Sequence, residues 1–443
     1  MRSGSDCRFL FLQGPHGPFF HRLAKALRAT GAQVWRVGFN LGDRAFWPDR
    51  ASFIPCHNTP DQWADSIGPL LDERQITDIV LYGDTRPIHA HAIRAAKARG
   101  LRVHVFEEGY MRPYWATYER DGSNGHSRLM TLSMDQIVQA AQGPLADQPE
   151  APTHWGDLRQ HMFWGAVYHF LVWLGRWRFP AFRSHRDQSV TQEFALYAKR
   201  LLLLPFHRWE RILATSVIRR GGFPYHLALL QLEHDASFRN HSPYASMTEF
   251  LDQVLLGFAQ GAPKHHHLVF KAHPLEDGRT ALARDIRRLA KASGIARRVH
   301  FVRGGKLARL LDGAESAVTI NSTAGQQVLW RGLPLKAMGT AVYSKPGLVS
   351  DQALVGFFAA PQRPDPVAAR AFRRFLLHSS QFPGGYYSAG GRNTLIRRLP
   401  DAMLSEGDPY APLLAESGAA AQQQLRLVSG DASGKLAKRL ASS

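Results

Sequence analysis

Short runs of β-branched and apolar residues alternate along this chain with helix-length segments, and the alternation occurs in two separate blocks. Residues 8–12, 34–39, 78–82 and 101–106 form the runs of the first block, and 226–231, 267–272, 298–302 and 317–320 those of the second. Between them, 19–29, 246–260, 280–293, 306–313 and 325–331 carry apolar residues at helical spacing. Strands separated by helical crossovers pair in parallel and are covered on both faces. At 443 residues the chain has room for two such cores. The expectation is an α/β protein of two Rossmann-like domains, 1–220 and 221–400. Residues 401–443, rich in Ala, Ser and Gln and carrying Lys435, Lys438 and Arg439, are expected to be a flexible tail.

Residues 151–205 interrupt the rhythm. The segment 162–175 is aromatic and is flanked by Arg159, Arg176, Arg178, Arg183 and Arg186. Two readings stay open for it: a helix buried between domains, or a helix lying in a membrane interface with arginines on anionic lipid. It falls short of the roughly 20 apolar residues that span a bilayer. Lys and Arg outnumber Asp and Glu 55 to 36, a net charge of +19 that attracts anions of any kind. No nucleic-acid-binding motif accompanies the charge, so an anionic membrane surface ranks ahead of RNA or DNA. Cys7 and Cys56 are the only cysteines, too few for a disulfide framework. The N-terminus reads as a strand and turn rather than a signal peptide. A cytoplasmic location is expected, with an anionic membrane surface as the favoured partner of the charge.

Polar clusters follow several of the strands, where open α/β sheets bind their ligands. After the first strand, Gln13-Gly14-Pro15 opens a glycine-rich turn that lets a ligand approach the backbone, although it matches neither a phosphate-binding P-loop nor a dinucleotide fingerprint. Glu107-Glu108-Gly109 follows the fourth. Adjacent side chains on a strand point oppositely, so one carboxylate faces a ligand, and Glu108 is favoured as general acid or base over Glu107. The alternative is a capping pair, or salt bridges with Arg112 or Arg102. Asp235 opens the second block after Gln231, as a second carboxylate or a helix N-cap. Lys271, His273 and Pro274 end the next strand, proline holding the imidazole direction. Ser322 and Thr323, between a strand and a helix, suit either a phosphate or a helix cap. His265-His266-His267 alternate in direction and lack a carboxylate at ligand spacing, which argues against metal.

Six motifs carry a resemblance. Gln13-Gly14-Pro15-His16-Gly17-Pro18, Tyr82-Gly83-Asp84-Thr85-Arg86-Pro87, Phe106-Glu107-Glu108-Gly109-Tyr110, Gln231-Leu232-Glu233-His234-Asp235, Lys271-Ala272-His273-Pro274 and Asn321-Ser322-Thr323-Ala324-Gly325 resemble the KpsS/LipB family of bacterial capsule polysaccharide proteins, over about residues 8–390. The resemblance implies a GT-B-like glycosyltransferase with its two Rossmann-like domains facing across a cleft. It implies a retaining β-Kdo transferase that uses CMP-Kdo, without metal or other cofactor, to begin a Kdo linker on phosphatidylglycerol or lysophosphatidylglycerol. A companion poly-Kdo transferase and the capsule export complex are the implied partners, and nucleic acid is not. The motifs are also similar to those of bacterial sialyltransferases. Carried over by position, Glu108 is the acid/base, His273, Ser322 and Thr323 hold the CMP phosphate, and Asp235 is the nucleophile, with Asp84 competing for that role. A non-catalytic capsule export or assembly component is the alternative function.

Overall fold

The computed structural model describes residues 1–112, 114–142, 157–182, 190–233, 235–274, 276 and 281–414. Its strands are β1 (Arg8–Phe11), β2 (Gln33–Gly38), β3 (Phe53–Pro55), β4 (Asp78–Tyr82), β5 (Arg102–Glu108), β6 (Trp115–Arg120), β7 (Tyr225–Leu229), β8 (His267–Lys271), β9 (Val299–Val302), β10 (Ala314–Thr319), β11 (Leu335–Ala337) and β12 (Gln381–Pro383). They form two sheets in two units. One unit comprises Met1–Arg128, Ala140–His185 and the chain from Phe375, and the other Leu129–Gln139 and Arg186–Arg374.

The first unit holds a seven-stranded sheet ordered β12-β6-β5-β4-β1-β2-β3. From β5 to β3 every pairing is parallel, as the alternation requires. Successive residues serve opposite faces: Phe9, Phe11, Val80 and Phe106 enter one core, while Leu10, Leu12, Ile79, Leu81, Val103 and Val105 enter the other. The sheet is not wholly parallel. β6 pairs antiparallel with β5 and β12 antiparallel with β6, and neither strand was expected from the sequence. β6 reads Trp-Ala-Thr-Tyr-Glu-Arg, without a continuous apolar run, and β12 is three residues long.

The expected tail also needs correction. Leu399–Leu404 and Ala411–Leu414 are helices, with Leu404 and Tyr410 buried and Arg120 donating to the carbonyl oxygens of Ser405 and Glu406. Short helices and single aromatic anchors leave little periodicity to read. The rest of that stretch, like Arg183 and Arg186, lies outside the described residues.

The second unit is a five-stranded, fully parallel sheet ordered β11-β10-β7-β8-β9. Its core gathers Leu230, Phe250, Val254, Phe258, Leu268, Phe270, Ile286 and Val318. The helix Met247–Gly261 starts where Ser246 Oγ accepts the Glu249 N–H. The histidine run lies at the entry to β8: His266 meets His226, and His267 stacks with His300 and Phe223.

Candidate functional site

In the first unit, functional groups collect at the carboxyl ends of β1, β4 and β5. Glu107 and Glu108 are the last residues of β5. Their side chains part, as strand geometry demands: Glu107 Oε1 accepts the Glu108 N–H at 2.9 Å, while Glu108 Oε1 accepts the hydroxyls of Tyr82 at 2.9 Å and Tyr387 at 3.1 Å. Burial, followed by the charge of Glu108, holds the phenols of Tyr82, Tyr386 and Tyr387 well above the usual tyrosine range. All three are therefore neutral donors. Tyr386 donates to the Glu107 carbonyl at 2.6 Å, so two adjacent tyrosines hold two adjacent glutamates by different atoms. Gly83, at φ +72°, makes the turn after β4, and its carbonyl accepts from buried His89 Nδ1 at 2.6 Å. Burial pushes His89 down to about 3, so its ring stays neutral.

The helix Asp157–Leu174 covers the turn after β1. Tyr168 donates to Asp43 Oδ1 at 3.3 Å and accepts from Asn40 Nδ2 at 2.8 Å and Gln13 Nε2 at 3.4 Å. Gln13 also donates to Asp43 Oδ2, and Asp43 forms a buried ion pair with Arg36 at 3.2 Å. His16 stacks on Tyr168 at 4.5 Å, and His161 stacks on Tyr387 at 4.0 Å with rings parallel. Gly14 and Pro15, like Gln13, are buried in this turn. A Cβ on Gly14 would lie 2.4 Å from the Phe20 ring, so that glycine is required by packing.

That helix is apolar all round, which is why its sequence supported two readings. Trp164, Tyr168 and Val172 pack inward, with Gly175 against Leu41 just beyond its end. Met162, Phe163, Phe170, Trp173 and Leu174 face solvent beside exposed Arg159, Arg176 and Arg178, and Trp177 is 75% exposed. No described helix is long and apolar enough to cross a membrane.

In the second unit the ends of β7, β8 and β10 carry the remaining candidates. Gln231 and Asn321 bind one another, joining the loops after β7 and β10. Asn321 Nδ2 further donates to the carbonyl of His241, the last residue of the helix Ala236–His241. Asp235 is the N-cap residue of that helix by backbone position, yet its side chain makes no cap hydrogen bond and is exposed. Asp84 is different. It is buried in the first unit, where it accepts from the Ser123 N–H at 2.9 Å and lies 3.1 Å from His126 Nδ1.

Lys271, the last residue of β8, is 6% exposed, and burial followed by Arg211 pushes its ammonium down to about 8. Ala272, half-buried His273 and exposed Pro274 follow it. Ser322 Oγ accepts the Ala324 N–H at 3.2 Å and the Ser322 carbonyl accepts from Tyr343 at 2.5 Å, so this loop is held from both sides. Thr323 is half-buried beside it. The described residues contain no cluster of His, Cys, Asp or Glu that would hold a metal.

Sequence reasoning assigned no role to Tyr82, Arg86, Tyr387 or Asp43. Tyr82 and Arg86 stood inside a quoted motif, and the Tyr386-Tyr387 pair follows Gly384-Gly385, a signal of a turn with aromatic content. A sequence model described as "Capsule polysaccharide biosynthesis protein" matches residues 77–387, a span containing all of these except Asp43. The chain belongs to that family. The motif resemblance is thereby confirmed. Within the family's range, the capsule polysaccharide export protein KpsS of Escherichia coli is 33% identical over 392 residues, 86% of this chain and 97% of the relative. The capsule polysaccharide modification protein LipB of Neisseria meningitidis serogroup A is 31% identical over 386 residues, 86% of this chain and 91% of the relative. Among solved structures, the β-Kdo 2,7 transferase of Thermosulfurimonas dismutans KpsC aligns at a TM-score of 0.38 and 13% identity, over 82% of this chain and 88% of that one.

Proposed function

We propose that this capsule biosynthesis protein transfers β-Kdo from CMP-Kdo to a phosphatidylglycerol or lysophosphatidylglycerol acceptor with retention, beginning the poly-Kdo linker of a lipid-anchored capsule. The observation that carries the reading is the Glu108 carboxylate at the end of β5, with one oxygen held by two neutral tyrosine hydroxyls. Such a carboxylate is oriented and keeps its second oxygen for an acceptor hydroxyl. The names of the relatives, in capsule modification and export, agree with this setting.

In the first step Asp235 attacks the anomeric carbon, that carbon's bond to the phosphate oxygen breaks, and CMP leaves with the electron pair. Lys271, His273, Ser322 and Thr323 offset the charge gathering on the phosphate, which makes metal unnecessary. In the second step the acceptor hydroxyl attacks the same carbon, Asp235 departs as carboxylate, and Glu108 takes the hydroxyl proton. Two inversions give net retention. The outer face of the helix Asp157–Leu174 supplies peripheral attachment to the inner membrane, where the acceptor and the companion capsule machinery reside.

The test is incubation of the purified protein with CMP-Kdo and a lysophosphatidylglycerol, with product detected by mass spectrometry. Wild type is expected to release CMP and form a Kdo-lipid, and Asp235→Ala and Glu108→Gln to lose at least a hundredfold in turnover. Absence of product from wild type would favour the export role carried in the name of the E. coli relative.

A further inference from the structure

An open pocket of about 110 Å³ lies in the first unit beside the Glu108 cluster, joined to it through Tyr82 and Arg86. Phe39, Trp63, Ile88, Ala181 and Phe182 supply most of its lining, and Gln13 and Arg86 its polar part. Trp63 presents only carbon, because its indole N–H is taken by the Ile88 carbonyl at 2.9 Å. Two more polar residues of the wall are already engaged: Thr59 caps the helix Pro60–Glu73, and Asn58 donates to Ser66. Arg86 is the lone cation of the lining. It donates to Gln13 Oε1 at 3.4 Å and makes no ion pair with a carboxylate among the described residues. Its guanidinium lies 5.9 Å from the centre of the Tyr82 ring, the same tyrosine that holds Glu108.

A pocket with apolar walls and one unneutralised guanidinium matches an amphiphile with an anionic head and a hydrocarbon chain, and it mismatches a sugar nucleotide, which needs many polar partners. The wall also connects to the exposed apolar surface. Ala181 and Phe182 follow Trp173, Leu174 and Trp177 within a few residues, through Phe179, which is buried and stacked on His57 at 4.9 Å. We infer that this pocket receives the acyl chain of a single-chain anionic phospholipid, with the phosphate on Arg86 and the glycerol hydroxyl directed to Glu108. The inference rests on the acceptor class proposed above and adds to it the site that reads the lipid's tail.

The experiment separates the two. Calorimetric titration, with no donor present, compares short-chain lysophosphatidylglycerols below their micelle concentration with glycerophosphoglycerol, which has the head and no chain. Wild type is expected to bind the lipid at least tenfold more tightly than the head alone, with affinity rising up to about fourfold per added methylene. Ala181→Trp, which fills the pocket, should reduce that lipid-to-head ratio at least tenfold, and Ile88→Asn should do the same. Arg86→Gln should weaken both ligands. Circular dichroism checks that each variant is folded. Equal affinity for lipid and head in wild type overturns the inference, as does an unchanged ratio in both pocket variants. Lipid bound in this way without Kdo transfer would sink the proposed reaction and leave the pocket standing. Transfer indifferent to chain length would do the reverse.

Discussion

Gln231 and Asn321 exchange two hydrogen bonds across 90 residues of sequence: Gln231 Nε2 donates to Asn321 Oδ1 at 2.7 Å, and the Asn321 N–H donates to Gln231 Oε1 at 3.0 Å. Both side chains are buried, so each amide satisfies a group that would otherwise be orphaned. The pair fixes the loop that ends in Asp235 to the loop that contains Ser322 and Thr323.

Because removal of one partner strands the other, Gln231→Leu and Asn321→Leu should each destabilise the protein by about 1–3 kcal/mol. The double variant should cost less than the sum of the two. Urea denaturation of the four proteins measures the coupling, and strict additivity would show the pair to be energetically idle.

Tyr387→Phe removes one of two hydroxyls donated to Glu108 Oε1 while preserving the ring stack on His161. Loss of a hydrogen bond to a charged group predicts turnover lowered roughly tenfold, and about a hundredfold when Tyr82→Phe is added. Donor KM should stay constant. A rise in donor KM with unchanged turnover would place this cluster outside the chemistry.

Lys271 loses its proton near pH 8 because burial and Arg211 disfavour the charge. If it neutralises the donor phosphate, kcat/KM for the donor should be level below pH 8 and fall up to tenfold per unit above it. Lys271→Met should lower kcat/KM throughout and remove the fall. A fall that survives in this variant belongs to another group.

Stability should respond to pH with opposite signs at two buried groups, Glu119 and His226. Glu119 in the first unit is buried beside Ser127, Tyr110 and Tyr410, and its carboxyl is pushed up to about 7. Its contribution is fully present below the unfolded value near 4.5 and is lost as pH rises through 7, a change of roughly 3 kcal/mol. His226 in the second unit, hydrogen-bonded to Ser316 and His266, is pushed down to about 3 by burial and then by His266. Its contribution is present above pH 6.5 and is lost as pH falls towards 3. Hydrogen exchange followed by peptide should show β6 loosening between pH 5 and 7, and β7 loosening between pH 6 and 4. Glu119→Gln should abolish the first response only.

Attachment to anionic membranes should depend on the outer face of the helix Asp157–Leu174 and on Trp177. Replacing Phe170, Trp173 and Trp177 together by serine should reduce sedimentation with phosphatidylglycerol vesicles at least tenfold. Raising salt from 50 to 500 mM should weaken wild-type binding by screening the arginines. Unchanged sedimentation would assign attachment to another surface.

Strand period and position were readable without the fold. The parallel strands β1, β2, β4, β5, β7, β8, β9 and β10 announce themselves because each is a short run rich in apolar, β-branched or aromatic residues, and all but the edge strand β9 are largely buried. The places of Glu108, Lys271, His273 and Ser322 at or just beyond strand ends were readable for the same reason. The antiparallel strands β6 and β12 were not, because one is polar at intervals and the other too short to show a period.

What the chain determined alone is therefore the alternation, the parallel strands at the heart of both sheets and the family whose motifs decorate their ends. Tertiary structure decided which groups those ends meet. Tyr387 lies 279 residues from Glu108, and Asn321 lies 90 from Gln231, separations at which no local pattern operates. It also buried Asp84 with Ser123 and His126, left Asp235 exposed at a helix start, and placed His16 and Gly17 against the helix Asp157–Leu174. Burial and partner choice come from packing many segments at once, whereas strand and turn preferences are written residue by residue.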